Sequence, residues 1–193
     1  IDAGISLRRT RTSLEAMGVS ISGVRAVCLT HEHGDHTAGL PVFHRRTDAE
    51  LYANSGTVEA AERALKKNAF RWKVFSNGQP FGVGDLEVRA FSVPHDSYDP
   101  VGSVISCGDL RVGVVTDMGC GTALIRESLK GCQALVLETN HDEALLREAK
   151  RPWSLKQRIA GRQGHLSNAQ AAELMSELAG PETQAVFLSH LSS

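Results

Sequence analysis

Four side chains that can bind a metal ion occur within six consecutive residues near the start of the chain. They are His31, His33, Asp35 and His36, and they directly follow a largely apolar run over residues 24–29. In an extended chain alternate side chains point to the same side, which predicts that His31, His33 and Asp35 converge. His36 is then expected to turn away from that row. Because a catalytic zinc ion usually has three protein ligands and one open position, the cluster predicts two ions about 3.5–4 Å apart, bridged by a hydroxide that attacks an ester-like bond.

Three more potential ligands lie elsewhere in the chain, each directly after an apolar run that is typical of a strand. They are His95, Asp117 and His190. Loop side chains at strand ends can converge on one site. Taken singly, a residue of this kind beyond a strand is more often a surface or hydrogen-bonded residue than a ligand. Together with the H-x-H-x-D-H cluster, they are predicted to complete the metal site.

The composition is that of an ordinary globular protein. The chain has 193 residues, of which 41% are hydrophobic and 22% charged, and its net charge is −1. This length predicts one domain over residues 1–193. A nearly neutral chain does not by itself require a nucleic-acid partner, so any basic surface must be local. No apolar stretch approaches the length of a membrane span, and no membrane partner is expected.

The four cysteines indicate a reducing compartment. They are widely spread and form no C-x-x-C pair. A cysteine zinc site is therefore not expected, and a cytoplasmic location is predicted.

Helical and strand-like patterns alternate along the chain. Helices are predicted over residues 7–17, 38–46, 60–67, 122–130, 142–149, 153–160 and about 168–179. Strands are predicted over residues 24–29, 51–53, 86–93, 101–107, 110–116, 133–138 and 184–189. The strand-rich middle indicates antiparallel pairs. Flanked by mixed halves, it predicts a layered α/β sandwich.

The order and spacing of the ligands resemble the metallo-β-lactamase superfamily, whose fold is a four-layer αββα sandwich with a dinuclear metal site at one edge. The resemblance runs from end to end. It implies that seven residues hold two ions, the first bound by His31, His33 and His95, the second by Asp35, His36 and His190, and both by Asp117. It also implies that Asp2 is a structural aspartate that orients the histidine loop. The strands expected before Asp2 and the segment expected after His190 are absent, so the chain is expected to be a fragment truncated at both ends.

Two segments around the ligands indicate the substrate class. The segment Val93-Pro94-His95-Asp96 differs from the G-H-T-x-G motif of thioester and lactone hydrolases, and it resembles the phosphodiesterase branch of the superfamily. Gly164-His165-Leu166-Ser167 resembles an element of tRNA 3′-processing and related nucleases, in which the histidine contacts the scissile phosphate or assists the leaving group. His165 would also lie near a helix N-terminus, which favours an anion. Ser167 is expected to cap that helix and to contact substrate.

The segments 138–142 and 153–158 resemble those of the WalJ/YycJ-type exonuclease subgroup. This resemblance makes His141 a candidate substrate-binding residue, although a histidine near a helix start is an equally good interpretation. A basic segment precedes His165, and its Lys156 and Arg158 are candidate phosphate contacts. Trp153 is expected to pack into the core, with stacking on a base as the alternative.

The sequence therefore predicts a dinuclear-metal phosphodiesterase acting on nucleic acid, in the form of a DNA exonuclease with 5′-to-3′ polarity implied by the resemblance. The catalytic residues would be Asp35, Asp117 and His165. Histidine and carboxylate ligands suit Zn²⁺ or Mn²⁺, with Fe²⁺ as a further option. One alternative is a lactone or thioester hydrolase on the same fold, and another is a metal-bound, non-catalytic nucleic-acid-binding domain. RNA as substrate and the oligomeric state stay open.

Overall fold

The computed structural model describes residues 1–66 and 70–192. The chain divides into two compact units, the first comprising residues 1–84 and 97–99 and the second comprising residues 85–96 and those from 100 onward. Each unit has its own hydrophobic core. The expected single domain over residues 1–193 stays a prediction.

The first unit is built on a parallel sheet with the strand order β1-β2-β3. Its strands are Ala26–Cys28 (β1), Glu50–Asn54 (β2), Trp72–Phe75 (β3) and, separately, Pro80–Val83 (β4). Its helices are Leu7–Ala16 (α1), Gly34–Thr37 (α2), Leu40–Arg46 (α3) and Ser55–Ala64 (α4). Parallel neighbours need crossover connections, and the segments carrying α2, α3 and α4 provide them.

Side-chain caps explain where α1 and α4 begin. The Ser6 hydroxyl accepts the Arg9 N–H at the start of α1, and the helix ends just before Gly18, as predicted. The Asn54 side chain accepts the Thr57 N–H, so α4 begins five residues before the predicted start at residue 60. The predicted end of that helix at Lys67 lies outside the described residues.

The second unit is built on a mixed sheet in which β5, β6, β7, β8 and β9 are neighbours in chain order. These strands are Leu86–Ser92 (β5), Val101–Cys107 (β6), Leu110–Val115 (β7), Ala134–Glu138 (β8) and Ala185–Ser189 (β9). The pairs β5/β6 and β6/β7 are antiparallel, as predicted, whereas β7/β8 and β8/β9 are parallel. The C-terminal ends of β7, β8 and β9 therefore meet at one edge of the sheet, where loop residues can form a site.

Four helices accompany this sheet. They are Ala123–Leu129 (α5), Glu143–Glu148 (α6), Trp153–Ile159 (α7) and Asn168–Leu178 (α8). The predicted capping box is present at α8, since the Ser167 hydroxyl accepts the Gln170 N–H while the Gln170 side chain accepts the Ser167 N–H. Within residues 1–66 and 70–192, no helix combines the length and the apolar character needed to cross a membrane.

Candidate metal centre

The histidine loop of the first unit follows β1 and leads into α2. Gly34 begins α2, so the extended chain ends at His33, which is the N-cap residue of this short helix. The prediction that His36 turns away is therefore wrong, because a helical turn replaces the alternation of an extended chain. The ring centroid of His36 lies 4.1 Å from that of His31, and His33 lies 4.6 Å from His31. Asp35 is exposed on the same turn.

Asp2 holds this loop through three hydrogen bonds. Its Oδ1 accepts the Thr30 N–H at 2.8 Å, and its Oδ2 accepts the Thr30 hydroxyl at 2.9 Å and the His36 Nδ1 proton at 2.7 Å. Since the hydroxyl proton of Thr30 goes to Asp2, the Thr30 oxygen accepts the His31 Nδ1 proton at 2.9 Å. His31 and His36 consequently carry their lone pairs on Nε2, the form in which imidazole binds a metal.

The backbone under this loop is tightly constrained. Asp2 has a positive φ of 58°, a conformation that is uncommon outside glycine and often marks a functional constraint. A Cβ on Gly4 would lie 1.4 Å from the carbonyl oxygen of Asp35. Only glycine therefore fits beside the turn that carries Asp35 and His36.

In the second unit, two predicted ligands and His165 surround the carboxylate of Asp117. Asp117 is buried two residues after β7. Its Oδ1 lies 3.3 Å from His190 Nε2, 3.6 Å from His165 Nδ1 and 3.7 Å from His95 Nε2. His190 directly follows β9 and has a positive φ of 55°. The structure therefore brings His95, Asp117, His165 and His190 together.

Glu138, at the end of β8, supports this group and was not predicted as a site residue. Its side chain is fully buried, and Oε1 accepts the Nδ1 protons of His165 at 2.7 Å and His190 at 3.0 Å. Oε2 accepts the backbone N–H of Met118 at 2.8 Å and that of Leu166 at 3.1 Å. Four accepted hydrogen bonds make Glu138 a support for the histidines. Its signal in the sequence is a carboxylate at the end of an apolar strand.

The carbonyl group of Gly164 orients His95 in the same manner. His95 Nδ1 donates to the Gly164 oxygen at 3.0 Å, which leaves the lone pair on Nε2. Burial lowers the pKa of His95 below its usual value, which favours this neutral ring. A Cβ on Gly164 would lie 2.1 Å from the Arg158 carbonyl oxygen and 2.2 Å from that of Ile159. Glycine is thus required at the residue that positions His95.

The donor set fits a divalent metal. With its Nδ1 proton given to Glu138, His190 presents a lone pair on Nε2 to the Asp117 oxygen 3.3 Å away. Two lone pairs facing each other repel unless a cation lies between or beside them. Potential ligand atoms of Asp117, Glu138, His165 and His190 all lie within 4.8 Å of one another. Imidazole and carboxylate donors without thiolate suit zinc, manganese or iron.

Helix α7 separates the predicted substrate-binding residues into two cavities of the second unit. A cavity of about 380 Å³, called here the arginine cavity, is lined by Arg151, Arg158, His165 and His190, among others. A cavity of about 350 Å³, called the tryptophan cavity, is lined by His141, Trp153, Lys156 and Ser167, among others.

The polar groups that line these cavities also bond within the protein. Arg158 forms an ion pair with Asp96, and Lys156 donates to the Arg147 carbonyl oxygen at 2.6 Å. The Ser167 hydroxyl caps α8 and donates to Glu143 at 3.0 Å. The predicted burial of Trp153 in the core is wrong. Its side chain is 65% exposed because it begins α7 at the surface.

Comparison with known proteins decides the family. Residues 1–191 match the family model described as the β-lactamase superfamily domain. The chain belongs to the β-lactamase superfamily. Over its full length it is 35% identical to exodeoxyribonuclease YycJ of Bacillus anthracis, of which it covers 73%. It is likewise 32% identical to exodeoxyribonuclease WalJ of Streptococcus pneumoniae, of which it covers 72%.

Solved structures confirm the predicted fold of this superfamily member. The metallo-β-lactamase fold protein YhfI from Bacillus subtilis matches with a TM-score of 0.69 and 18% identity, over 94% of this chain and 70% of YhfI. At this identity the likeness shows the fold alone. The α/β class and the metallo-β-lactamase fold predicted from the sequence are confirmed, as is the resemblance to the WalJ/YycJ-type subgroup.

Proposed function

We propose that this chain is a dinuclear-metal phosphodiesterase that acts on nucleic acid, specifically a DNA exonuclease working in the 5′-to-3′ direction. Membership of the superfamily makes it a metal-dependent hydrolase. The exodeoxyribonuclease names of the YycJ and WalJ relatives support DNA as the substrate. The observation that carries the proposal is the arginine cavity, where two guanidinium groups and His165 line the same space as the ligand His190. A cytoplasmic location is part of the proposal.

The proposed ligands are the seven residues assigned by the family resemblance. They are His31, His33 and His95 for one ion, Asp35, His36 and His190 for the other, and Asp117 for both. The support within each unit is the common orientation of the rings, since His31, His36, His95 and His190 all give their Nδ1 atoms to protein groups. Divalent ions in such a set supply acidification of water and neutralisation of charge on phosphoryl oxygens. Zn²⁺ and Mn²⁺ are the proposed ions, with Fe²⁺ as a further option.

One proton leaves the attacking water and one reaches the leaving group. In-line attack by a water oxygen forms one P–O bond and breaks the bond to the leaving sugar oxygen, so the water releases a proton to solvent and the sugar oxygen takes one from His165. Asp117 is proposed to orient the attacking water through its carboxylate. Because the His165 Nδ1 proton is held by Glu138, the Nε2 edge of a protonated His165 is the one that donates to a phosphoryl or leaving oxygen.

The cationic side chains of the arginine cavity are proposed to hold the phosphate backbone. Arg158 is fixed by its ion pair with Asp96, and Arg151 lines the same space. A guanidinium group matches phosphate geometry with paired N–H donors. The ion pair with the Asp96 carboxylate favours one orientation of the Arg158 guanidinium group. Phosphate contacts of this kind make binding salt-dependent.

A nuclease assay with matched histidine variants tests the proposal. End-labelled, 5′-phosphorylated DNA and RNA of the same sequence are incubated with the metal-loaded protein, and a lactone is assayed beside them. We expect progressive shortening of DNA from its 5′ end, no turnover by His36→Ala, and normal turnover by His44→Ala. His44 provides the control because it lies on α3 of the same unit, against Phe70. Lactone turnover without DNA cleavage, or full DNA cleavage by His36→Ala, contradicts the proposal.

A further inference from the structure

We propose that the tryptophan cavity is a second binding site, which takes one nucleobase of the substrate strand with Trp153 as its stacking partner. The inference rests on the proposed function, because it assumes a nucleic-acid strand in the arginine cavity. It adds a subsite on the other side of α7, away from His165 and His190.

The spacing of residues along α7 makes this a separate site. Trp153, Lys156, Gln157 and Ala160 line the tryptophan cavity at positions i, i+3, i+4 and i+7, which is one helix face. The arginine cavity is lined from the same helix by Leu155, Arg158 and Ile159. Helix α7 therefore lies between the two cavities, and a different set of its side chains lines each of them.

Trp153 is the first sign of a ligand. This residue is 65% exposed and lines a cavity of about 350 Å³. A large aromatic ring left in water forgoes the stabilisation of burial, so an exposed tryptophan beside a concave surface is typical of a binding site. Stacking on an aromatic ring is a common way for proteins to bind nucleobases, because every base has a π-face.

His141 supplies a second, independent sign. Its side chain is more than nine-tenths buried and lines the cavity, yet its Nδ1 atom has no hydrogen-bond partner among the described residues. Unsatisfied buried polar atoms are rare in native proteins and call for a partner. Burial also lowers the pKa of His141 below its usual value. A neutral imidazole offers one donor and one acceptor, which matches the mixed edge of a nucleobase.

The charges at the cavity fit a base attached to a phosphate backbone. The charged lining residues are Arg147, Lys156 and Glu143, which gives a net positive lining. Glu143 accepts the Ser167 hydroxyl, and Lys156 donates to the Arg147 carbonyl oxygen and keeps its charge. Two cations against one carboxylate attract phosphate, while the ring of Trp153 and Leu146 offer apolar contact to the base.

Two short segments connect this subsite to the residues around Asp117. Residues 138–141 carry Glu138 at one end and His141 at the other, and residues 165–168 carry His165 and Ser167. Backbone hydrogen bonds join the two segments, from Asn140 N–H to the Leu166 oxygen at 3.0 Å and from Asn168 N–H to the His141 oxygen at 2.8 Å. The bound base therefore belongs to a nucleotide close to the scissile bond.

An abasic-site scan of the substrate tests this inference. Single-stranded, fluorescently labelled oligonucleotides with non-cleavable linkages each lack one base, and their dissociation constants are measured by anisotropy with metal-loaded protein. We expect one position near the 5′ end at which loss of the base weakens binding by about 5- to 150-fold, the equivalent of 1–3 kcal/mol. In Trp153→Ala, the complete oligonucleotide should bind more weakly by a similar factor and the scan should become flat. Trp153→Phe should retain most of the effect.

A control variant shows that the effect is specific to the cavity, and failure of the subsite gives a different result from failure of the proposed function. Leu145→Ala removes an exposed side chain from the adjacent helix α6 without touching the cavity, and it should bind like the parent protein. A flat scan with the parent protein, or unchanged binding by Trp153→Ala, overturns the subsite even when DNA is cleaved. Failure of the proposed function is a different result, in which the parent protein leaves every DNA uncleaved.

Discussion

The two units present their candidate ligands in contrasting ways. In the first unit, four candidate ligands lie within six consecutive residues, and the support comes from Asp2 and Thr30. In the second unit, the candidate ligands follow the ends of separate strands, and the support comes from Glu138 and the Gly164 carbonyl group. The chemistry of support is the same in both units, since protein oxygens accept the Nδ1 protons of His31, His36, His95 and His190 and leave their Nε2 atoms available to a metal.

This difference shows which candidate ligands depend on the local sequence and which depend on the fold. The histidine loop needs one turn of helix and a single aspartate that precedes it in the chain. The strand-end ligands need the parallel order of β7, β8 and β9, because only that order brings Asp117, Glu138 and His190 to one edge. Substitutions in the two kinds of support should therefore lower the free energy of unfolding and the metal affinity by different amounts.

The largest effect is expected from adding a methyl group at either of two glycines. In Gly4→Ala the new Cβ would collide with the Asp35 carbonyl oxygen, and in Gly164→Ala it would collide with those of Arg158 and Ile159. Because the colliding atoms are backbone atoms, the loop must move in both variants. We expect the free energy of unfolding to fall by about 4 kcal/mol or more, together with loss of metal binding.

Thermal unfolding and metal binding of these variants can be compared with Gly23→Ala. Gly23 has a negative φ and open space where its Cβ would be, so this variant should resemble the parent protein. Parent-like metal binding by Gly4→Ala would show that the turn carrying Asp35 tolerates displacement.

The next largest effect is expected from replacing either of the two carboxylates that hold the histidines, Glu138 and Asp2, by its amide. In Glu138→Gln an amide NH₂ must face either two backbone N–H groups or two imidazole Nδ1 protons, so some donors lose their acceptor. We expect metal affinity or kcat/KM to fall by about 10- to 100-fold. Asp2→Asn should lower the affinity less, because the Asp2 carboxylate holds the His36 ring directly, whereas that of Glu138 holds both His165 and His190. Chelator competition measures the affinity, and a larger loss in Asp2→Asn would reverse the ranking of the two supports.

The smallest effect concerns two thiols, the half-buried Cys28 of the first unit and the buried Cys132 of the second. Burial raises the pKa of Cys28 to about 11, and it also raises the pKa of Cys132. At pH 8 both therefore hold little thiolate, the form that reacts. With a maleimide, exposed Cys107 should react first and these two much more slowly. Mass spectrometry of the time course gives the order, and rapid labelling of Cys28 would mean that β1 opens readily.

The sequence predicted the second unit's elements well, because their patterns are strong. Strand β6 was predicted at its observed bounds, and the capping box of α8 was recognised from Ser167 and Gln170. Strand β3 was not predicted, since it is short and mostly exposed. The orientation of His36 was predicted incorrectly because a four-residue helix is too short to leave a periodic pattern.

Some parts of the candidate site could be predicted from the sequence and others could not, for a related reason. The H-x-H-x-D-H cluster and the strand-end residues His95, Asp117 and His190 could be found from residue type and position. Glu138 could not be ranked above other carboxylates, because its role comes from four hydrogen bonds that only the folded unit creates. The two cavities could not be separated either, since that division depends on which face of α7 each side chain occupies.

The central claim, a dinuclear phosphodiesterase for DNA, is tested most directly by titrating metal into the chelator-stripped protein. Mn²⁺ is added in fractions of an equivalent, and the initial rate of cleavage of 5′-phosphorylated, end-labelled DNA is measured at each step with the bound metal quantified. We predict that the rate rises until two ions are bound per chain and then stays constant. A rate that reaches its maximum at one bound ion, or two bound ions without DNA cleavage, would contradict the account.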